Sequence, residues 1–323
     1  MFKKNKILLS LIPFISFGAF ASEELEMGFY GNLHYDFSDY EVEGVETDLD
    51  TETRFAGTNI GVYSNFEIND KASMSLDAGV TNDSDFIYGR VIPDEFDFVL
   101  NKAFITYNYN SNLDVEIGRM FTPIGLFHDD PTHKDNIIDN SNPVSRYSDA
   151  INVRFQHEKE GINFDINAFV ATHLDESQAD SHYGANVLIG NDKIGQFSFG
   201  YASYDVDRFT EEMEYLEGGY YFSRSNISFV INGKHLKDGN DEEYNIFVTK
   251  GQYDFNGIKP YVRYRIQETD NTILDSYDMY GTGVEFDIHK TLSLSVGYDK
   301  FEYKDFDGDY NDDVFRAGLS FRI

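Results

Sequence analysis

"RAGLSFRI", residues 316–323, alternates Arg316, Gly318, Ser320 and Arg322 with Ala317, Leu319, Phe321 and Ile323. Successive side chains leave a pleated backbone on opposite sides, so a period of two predicts a strand with one polar and one apolar face. The same period recurs along the chain. In "MGFYGNLHYDFSDY", Phe29, Gly31, Leu33, Tyr35 and Phe37 share one face, with Tyr30, Asn32, His34, Asp36 and Ser38 on the other. "INFDINAFVATHL" sets Ile162, Phe164, Ile166, Ala168 and Val170 against Asn163, Asp165, Asn167 and Phe169. "TLSLSVGYDKF" sets Leu292, Leu294, Val296 and Tyr298 against Ser293, Ser295, Gly297 and Asp299.

The connections between these runs come in two kinds. Short ones lie at 68–73, 110–112, 158–161, 190–195, 223–226, 256–259 and 289–291. Longer, mostly acidic ones lie at 41–53, 82–96, 119–148, 175–180, 205–212, 237–243, 268–276 and 304–313. Short and long alternate, which predicts about sixteen antiparallel strands with tight turns at one end and loops at the other. A soluble sandwich of two sheets has no reason for that asymmetry.

At the other end of the chain, Lys3, Lys4 and Lys6 precede the apolar run "ILLSLIPFISFGAF" and then Ala19-Phe20-Ala21. A basic start, a short apolar core and an A-x-A site predict an exported chain with a signal peptide over 1–21 and one barrel domain over 22–323. Loss of those three lysines takes the basic groups from 26 to 23 against 57 acids, a formal charge of 23 minus 57, or −34. Such acidity excludes nucleic acid as a partner, because phosphate binding needs clustered Lys and Arg. With no cysteine, the chain has no disulfide framework, thiol chemistry or Cys-type metal site.

Composition adds 29 Phe, 23 Tyr and 26 Gly against 6 Pro, which favours strands and turns over helices. Nothing after Ser22 approaches the run of about 20 apolar residues that a membrane helix needs. Strands are then the way across, and a bilayer forces them to close, because lipid satisfies no backbone hydrogen bond. The fold class is therefore all-β: a transmembrane, antiparallel, up-and-down β-barrel of about sixteen strands. A barrel that wide leaves a water-filled lumen where one of eight strands fills itself. Tyr107, Tyr109, Tyr253 and Phe255 are the residues expected in the aromatic girdles at the bilayer surface.

The third connection breaks the rhythm. Residues 118–149 carry Ile124, Leu126, Phe127, Ile137 and Ile138, too apolar a set for a solvated tail, so the loop is expected to pack on the inner wall of the barrel.

The mature chain resembles the general diffusion porins of Gram-negative outer membranes. "TRFAG" with Arg54, "GRMF" with Arg119 and "SRYSDAINVRF" with Arg146 match that family's stretches. The C-terminal run resembles the barrel insertion signal, polar-x-Gly-x-x-apolar-x-apolar, through Arg316, Gly318, Phe321 and Ile323, although that signal more often ends on an aromatic residue. "TPIGLFHDDPTHKDN" lacks the Pro-Glu-Phe-Gly-Gly stretch common in enterobacterial members. The resemblance implies a homotrimer of sixteen-stranded barrels, each with its third loop folded into the lumen and an acidic loop facing basic side chains on the wall. It assigns Arg54, Arg119 and Arg146 to the wall and Asp129, Asp130, Asp135 and Asp139 to the loop. By parity Lys102, Arg154, Arg263 and Arg265 also point inward.

Strict alternation conflicts with two of those arginines. Arg119 shares parity with outward Val115 and Ile117, and Arg54 with outward Ile60 and Val62. An arginine facing lipid at the midplane costs roughly 2–4 kcal/mol. Breaks in register are therefore expected at Ala56-Gly57 and at Gly118.

The implied function is passive diffusion of ions and small hydrophilic solutes through a charged constriction. The alternatives are a substrate-specific channel for a sugar or an anion, and an outer-membrane barrel enzyme. No G-x-S-x-G or H-E-x-x-H motif occurs. The eight histidines are scattered, with His128 and His133 in the third loop. "DFDGDYNDD", residues 305–313, alternates the oxygen ligands calcium prefers but lacks the glycine position and terminal Glu of an EF-hand, so it reads first as a solvated loop. No cofactor is implied. The expected partners are outer-membrane lipid and lipopolysaccharide.

Overall fold

The computed structural model describes residues 25–42, 52–55, 59–81, 97–124, 147–172, 181–205, 213–237, 243–269, 276–305 and 308–323. Their strands are β1 (Leu25–Val42), β2 (Glu52–Phe55), β3 (Asn59–Asn69), β4 (Ala72–Thr81), β5 (Asp97–Asn110) and β6 (Leu113–Phe121). Then follow β7 (Tyr147–Lys159), β8 (Ile162–Thr172), β9 (Ser181–Asn191), β10 (Gly195–Asp205), β11 (Met213–Arg224) and β12 (Ile227–Lys237). The last are β13 (Glu243–Tyr253), β14 (Ile258–Thr269), β15 (Ser276–His289), β16 (Leu292–Asp305) and β17 (Gly308–Arg322).

From β3 on each strand pairs antiparallel with the next, and β1 pairs with β17 on one side and with β2 and β3 on the other, so the sheet closes on itself. β2 and β3 both lie against β1 and count as one interrupted stave. The molecule is thus a closed sixteen-stranded antiparallel barrel.

The seam is made by β1 and the C-terminal stretch of β17, residues 316–323. Phe29 and Ile323 exchange two backbone hydrogen bonds, each 2.7 Å. Leu33, Tyr35 and Phe37 face Leu319, Ala317 and Phe315, and Ile323 is 73% exposed. The apolar set of "RAGLSFRI" therefore lies on the outer face with Phe29, Ile117, Ile151, Val170, Val262 and Val296, all exposed. Large apolar side chains left bare in a continuous band are stable only against lipid.

All seven short connections are tight turns at one end. Three of them hold non-glycine residues at positive φ: Glu160 at 55°, Ser225 at 55° and Asn256 at 58°. Tyr107, Tyr109, Tyr253 and Phe255 stand exposed beside these turns, where a girdle belongs.

The break expected at Ala56-Gly57 falls outside the described residues, but the ladders on either side of it differ in register. Asn32 pairs with Asn59 and Tyr35 with Phe55, a spacing of three along β1 against four along the other stave. The parity of β2 is therefore reversed relative to β3, and Arg54 takes the register position opposite Asp36, in the row that continues to Arg316.

The break expected at Gly118 does not occur. Both ladders run through it, with Ile105 opposite Ile117, Ala103 opposite Arg119, and Arg119 opposite Asp149. Gly118 twists instead, at φ 129°, and a Cβ there would strike the carbonyl oxygen of Ala103. Arg119 keeps the outer parity of Ile117 and Ile151. β6 ends two residues later, so Arg119 stands close to the strand end.

The acidic stretch 304–313 is a tight hairpin rather than a long loop. β16 runs to Asp305 and β17 starts at Gly308, with Lys304 opposite Asp309 and Glu302 opposite Asn311. Alternate residues along a strand sit roughly 6–7 Å apart, so the backbone positions of Asp309 and Asn311 follow one another along β17, and Asp307 lies outside the described residues. Among the described residues no cluster suited to a metal ion occurs.

Candidate functional site

The inner face is where this fold can act on a solute, and the registers assign it residue by residue. From β1 to β11 the inward charged positions with described side chains are Glu26, Glu67, Asp77, Asp114, Glu116, Glu158, Asp165 and Glu217, with Lys102 and Arg154. From β12 to β17 they are Lys234, Lys250, Lys259, Arg263, Arg265, Arg316 and Arg322, with Glu285, Asp287, Asp299 and Asp312. Formal charge is 2 minus 8, or −6, on the first half and 7 minus 4, or +3, on the second. The wall itself is polarised across the barrel.

The basic half is held by ion pairs. Asp299, with no exposed surface, binds the Arg263 guanidinium through both its oxygens and also lies 3.2 Å from Arg316 Nε. Lys250 Nζ lies 3.3 Å from Glu285 and 4.7 Å above the ring of Tyr261, which Arg263 also approaches at 5.7 Å. Arg265 stacks over Tyr277 at 5.2 Å and donates to Gln267 at 2.7 Å. Lys259 pairs with Asp287 at 2.6 Å near the turn end of the barrel. There a cavity of about 590 Å³ is lined by Lys259, His289, Lys290 and Arg322, with Asp287 as its acid.

The acidic half is an amide–carboxylate network. Asn152 donates to Glu116 at 2.7 Å and to Asn167 at 3.0 Å, and Asn167 donates to Asp165, which also binds Arg154 and Gln156. Asn232 and Tyr215 both donate to Glu217 at 2.6 Å. Tyr30, Asp77 and Asn101 close a buried triangle, with Tyr30 donating to Asp77 at 2.6 Å and Asn101 donating to both. Asn101 enters it because a bulge against Asp77 and Ala78 turns it inward beside Lys102.

Where the third loop leaves β6, Thr122, Pro123 and Ile124 are buried. Ile124 packs in an apolar cluster with Met120, Ala150, Phe169, Ala202, Tyr215 and Tyr244, which by register are inner-wall residues of β6 to β13 apart from Ile124 itself. The chain thus turns inward at the start of this connection.

Of the residues the sequence pointed to, Arg54 occupies an inner-face register position beside Asp36. Arg119 is half-buried on the outer parity, with its Nε buried and without a hydrogen-bond partner among the described residues. Arg146, Asp129, Asp130, Asp135 and Asp139 lie outside the described residues, as do the signal peptide positions 1–21. Arg154, Arg263, Arg265 and Lys102 take the inward positions that parity assigned. Sequence reasoning missed Lys234, Lys250 and Glu285, and it set Asp299 on the polar face of its strand without singling it out. The signal was weak because the inner face of β13 is itself apolar at Tyr244, Ile246 and Val248, which hides the period of two.

Comparison with known proteins places this geometry. By structure, the chain is similar to OmpF of Salmonella typhi in complex with daunomycin, at 13% identity over 93% of this chain and 97% of that one, TM-score 0.65. It is similar to the outer membrane channel DcaP of Acinetobacter baumannii, at 14% identity over 94% and 99%, TM-score 0.64. An anion-selective porin from Comamonas acidovorans follows, at 13% identity over 93% and 100%, TM-score 0.62. No curated protein sequence matches the chain. Residues 27–191, 165 of the 323 and so just over half, match the family described as phosphate-selective porin O and P. A closed sixteen-stranded barrel with a polar, charge-lined inner face and that family's sequence pattern identifies the chain as a member of this family of Gram-negative outer-membrane porins.

Proposed function

We propose that this multi-pass outer-membrane channel passes ions and small hydrophilic solutes passively through a lumen whose two halves carry opposite charge, with anions favoured along β12–β17 and cations along β4–β11. The observation that carries this reading is the partition of inward charges, −6 against +3, across the barrel. In a narrow, low-dielectric passage fixed charges act far more strongly than in bulk water. A transverse field of this kind orders water and disfavours apolar solutes, while small polar ones pass.

The loop acids Asp129, Asp130, Asp135 and Asp139 and the basic residues Arg54 and Arg146 belong to the proposal as the narrowest part of the passage, whereas Arg119, on the outer parity, does not. The inward turn at Ile124 and the register of Arg54 support it. A passive channel rather than an enzyme is the reading that fold and family favour. Assembly as a homotrimer is also proposed; OmpT of Vibrio cholerae, another similar structure, is described in a trimer form. On the outer face, Lys300 and Lys304 pair with Glu302 and Asp278 towards the loop end of the strands, which supports contact with lipopolysaccharide head groups.

The test is electrical. Purified porin in a planar bilayer under a salt gradient gives a reversal potential that moves towards cations when Lys250 and Arg265 become Gln. It moves towards anions when Asp114 and Glu116 become Asn and Gln. Equal reversal potentials in all three proteins would refute the polarised lumen.

A further inference from the structure

Tyr261 is an aromatic side chain of the basic half that two ion-paired cations, Lys250 and Arg263, approach together. Its inward position on β14 faces Gly283 on β15, and Gly283 faces Gly297 on β16. Cβ atoms at Gly283 and Gly297 would each collide with the Tyr261 hydroxyl, so the ring lies down across two neighbouring strands and is only 8% exposed. A third glycine completes the bed. At Gly281 a Cβ would collide with Asp299 Oδ1 and come within 2.5 Å of Arg263 Cγ. Ordinary side chains at these three positions would lift the ring and the Arg263–Asp299 pair off the wall.

Two cations approach the ring. Lys250 Nζ sits 4.7 Å from its centroid and Arg263 Cζ 5.7 Å, each within the range where an aromatic face attracts a cation. Each cation is therefore held from two sides: Lys250 by Glu285 and the ring, Arg263 by Asp299 and the ring. Long flexible side chains in a wide lumen otherwise sample many rotamers and smear their charge. A field that sorts ions by sign needs charges fixed in place.

Resting on the polarised-lumen reading above, we infer that Tyr261, seated on Gly281, Gly283 and Gly297, is the positioning residue that fixes Lys250 and Arg263 for small permeant anions. It touches the charges and leaves the anion to them.

Single-channel recordings under a potassium chloride gradient test this. Tyr261→Leu removes the ring and shifts the reversal potential towards cations, while the folded barrel and the open-channel conductance persist. Tyr261→Phe keeps the ring and the wild-type potential. Gly297→Ala lifts the ring and reproduces the Tyr261→Leu shift; if that variant does not fold, the Leu and Phe pair decides the matter. Combining Tyr261→Leu with Lys250→Gln and Arg263→Gln adds no further shift beyond the charge variants alone. A wild-type potential in folded Tyr261→Leu, with Lys250→Gln and Arg263→Gln still shifting it, overturns the positioning role and leaves the polarised lumen standing. A wild-type potential in the charge variants as well overturns both.

Discussion

A chain lacking residues 316–323 does not close into a barrel. Those residues supply the register from Asp36–Arg316 to Tyr30–Arg322 and the paired bonds between Phe29 and Ile323. Their loss exposes the facing edge of β1, and the corresponding edge of β16 from Leu292 to Gly297, to hydrocarbon. Each backbone group left unpaired there costs several kcal/mol. Summed along the seam, that exceeds the 5–15 kcal/mol or so by which folded proteins are stable. Heat-modifiable migration in gel electrophoresis, with and without boiling, checks the outcome: the full-length chain gives a compact species and the shortened chain only the unfolded one. A compact species from the shortened chain would show that the seam is dispensable.

The second large effect belongs to Asp299. Replacing it with Ala costs about 3–5 kcal/mol, because removing one partner of a buried ion pair leaves the other uncompensated. Here the carboxylate has no exposed surface and serves Arg263 and Arg316 together. Its loss leaves two guanidinium groups close to each other on the wall of β14 and β17. Urea unfolding in detergent should show a lowered midpoint. Asp299→Asn, which keeps the volume and one acceptor but no charge, should fall between wild type and Ala. A midpoint unchanged in Asp299→Ala would mean that water screens the two arginines and that the pair contributes little.

Much of this architecture was legible from alternation alone. "RAGLSFRI" pointed to an outer apolar face at Ala317, Leu319, Phe321 and Ile323, and the seam with β1 bears it out. The parity of Arg54 against Ile60 and Val62 was enough to anticipate the change of parity between β2 and β3, since lipid does not tolerate a guanidinium. The same logic failed at Gly118, where the ladder runs on without a bulge to the nearby strand end. It failed again at 304–313, because acids signal a loop only when strands stop at the membrane surface. These strands continue beyond it, and Asp309 and Asn311 simply face Lys304 and Glu302.

Charge polarity across the lumen was the least legible feature. It depends on which strands are neighbours around the closed ring, and a single stave such as β14 carries Lys259, Arg263 and Arg265 with no hint of what lies opposite. Nor does local pattern single out Tyr261. Its surroundings come from glycines at 281, 283 and 297, which in the sequence look like ordinary strand residues, and from Lys250 on the preceding stave.

Neighbouring residues of one stave face lipid and water in turn around a conducting lumen, and because the chain has no cysteine a single introduced thiol reports on each face. Ser295 faces inward on β16 and Val296, its neighbour, is exposed on the outer face. Single-channel current is recorded before and after a charged, water-soluble thiol reagent is added to Ser295→Cys and to Val296→Cys. The account predicts stepwise reduction of current in Ser295→Cys and no change in Val296→Cys. Reduction in Val296→Cys with none in Ser295→Cys would contradict it.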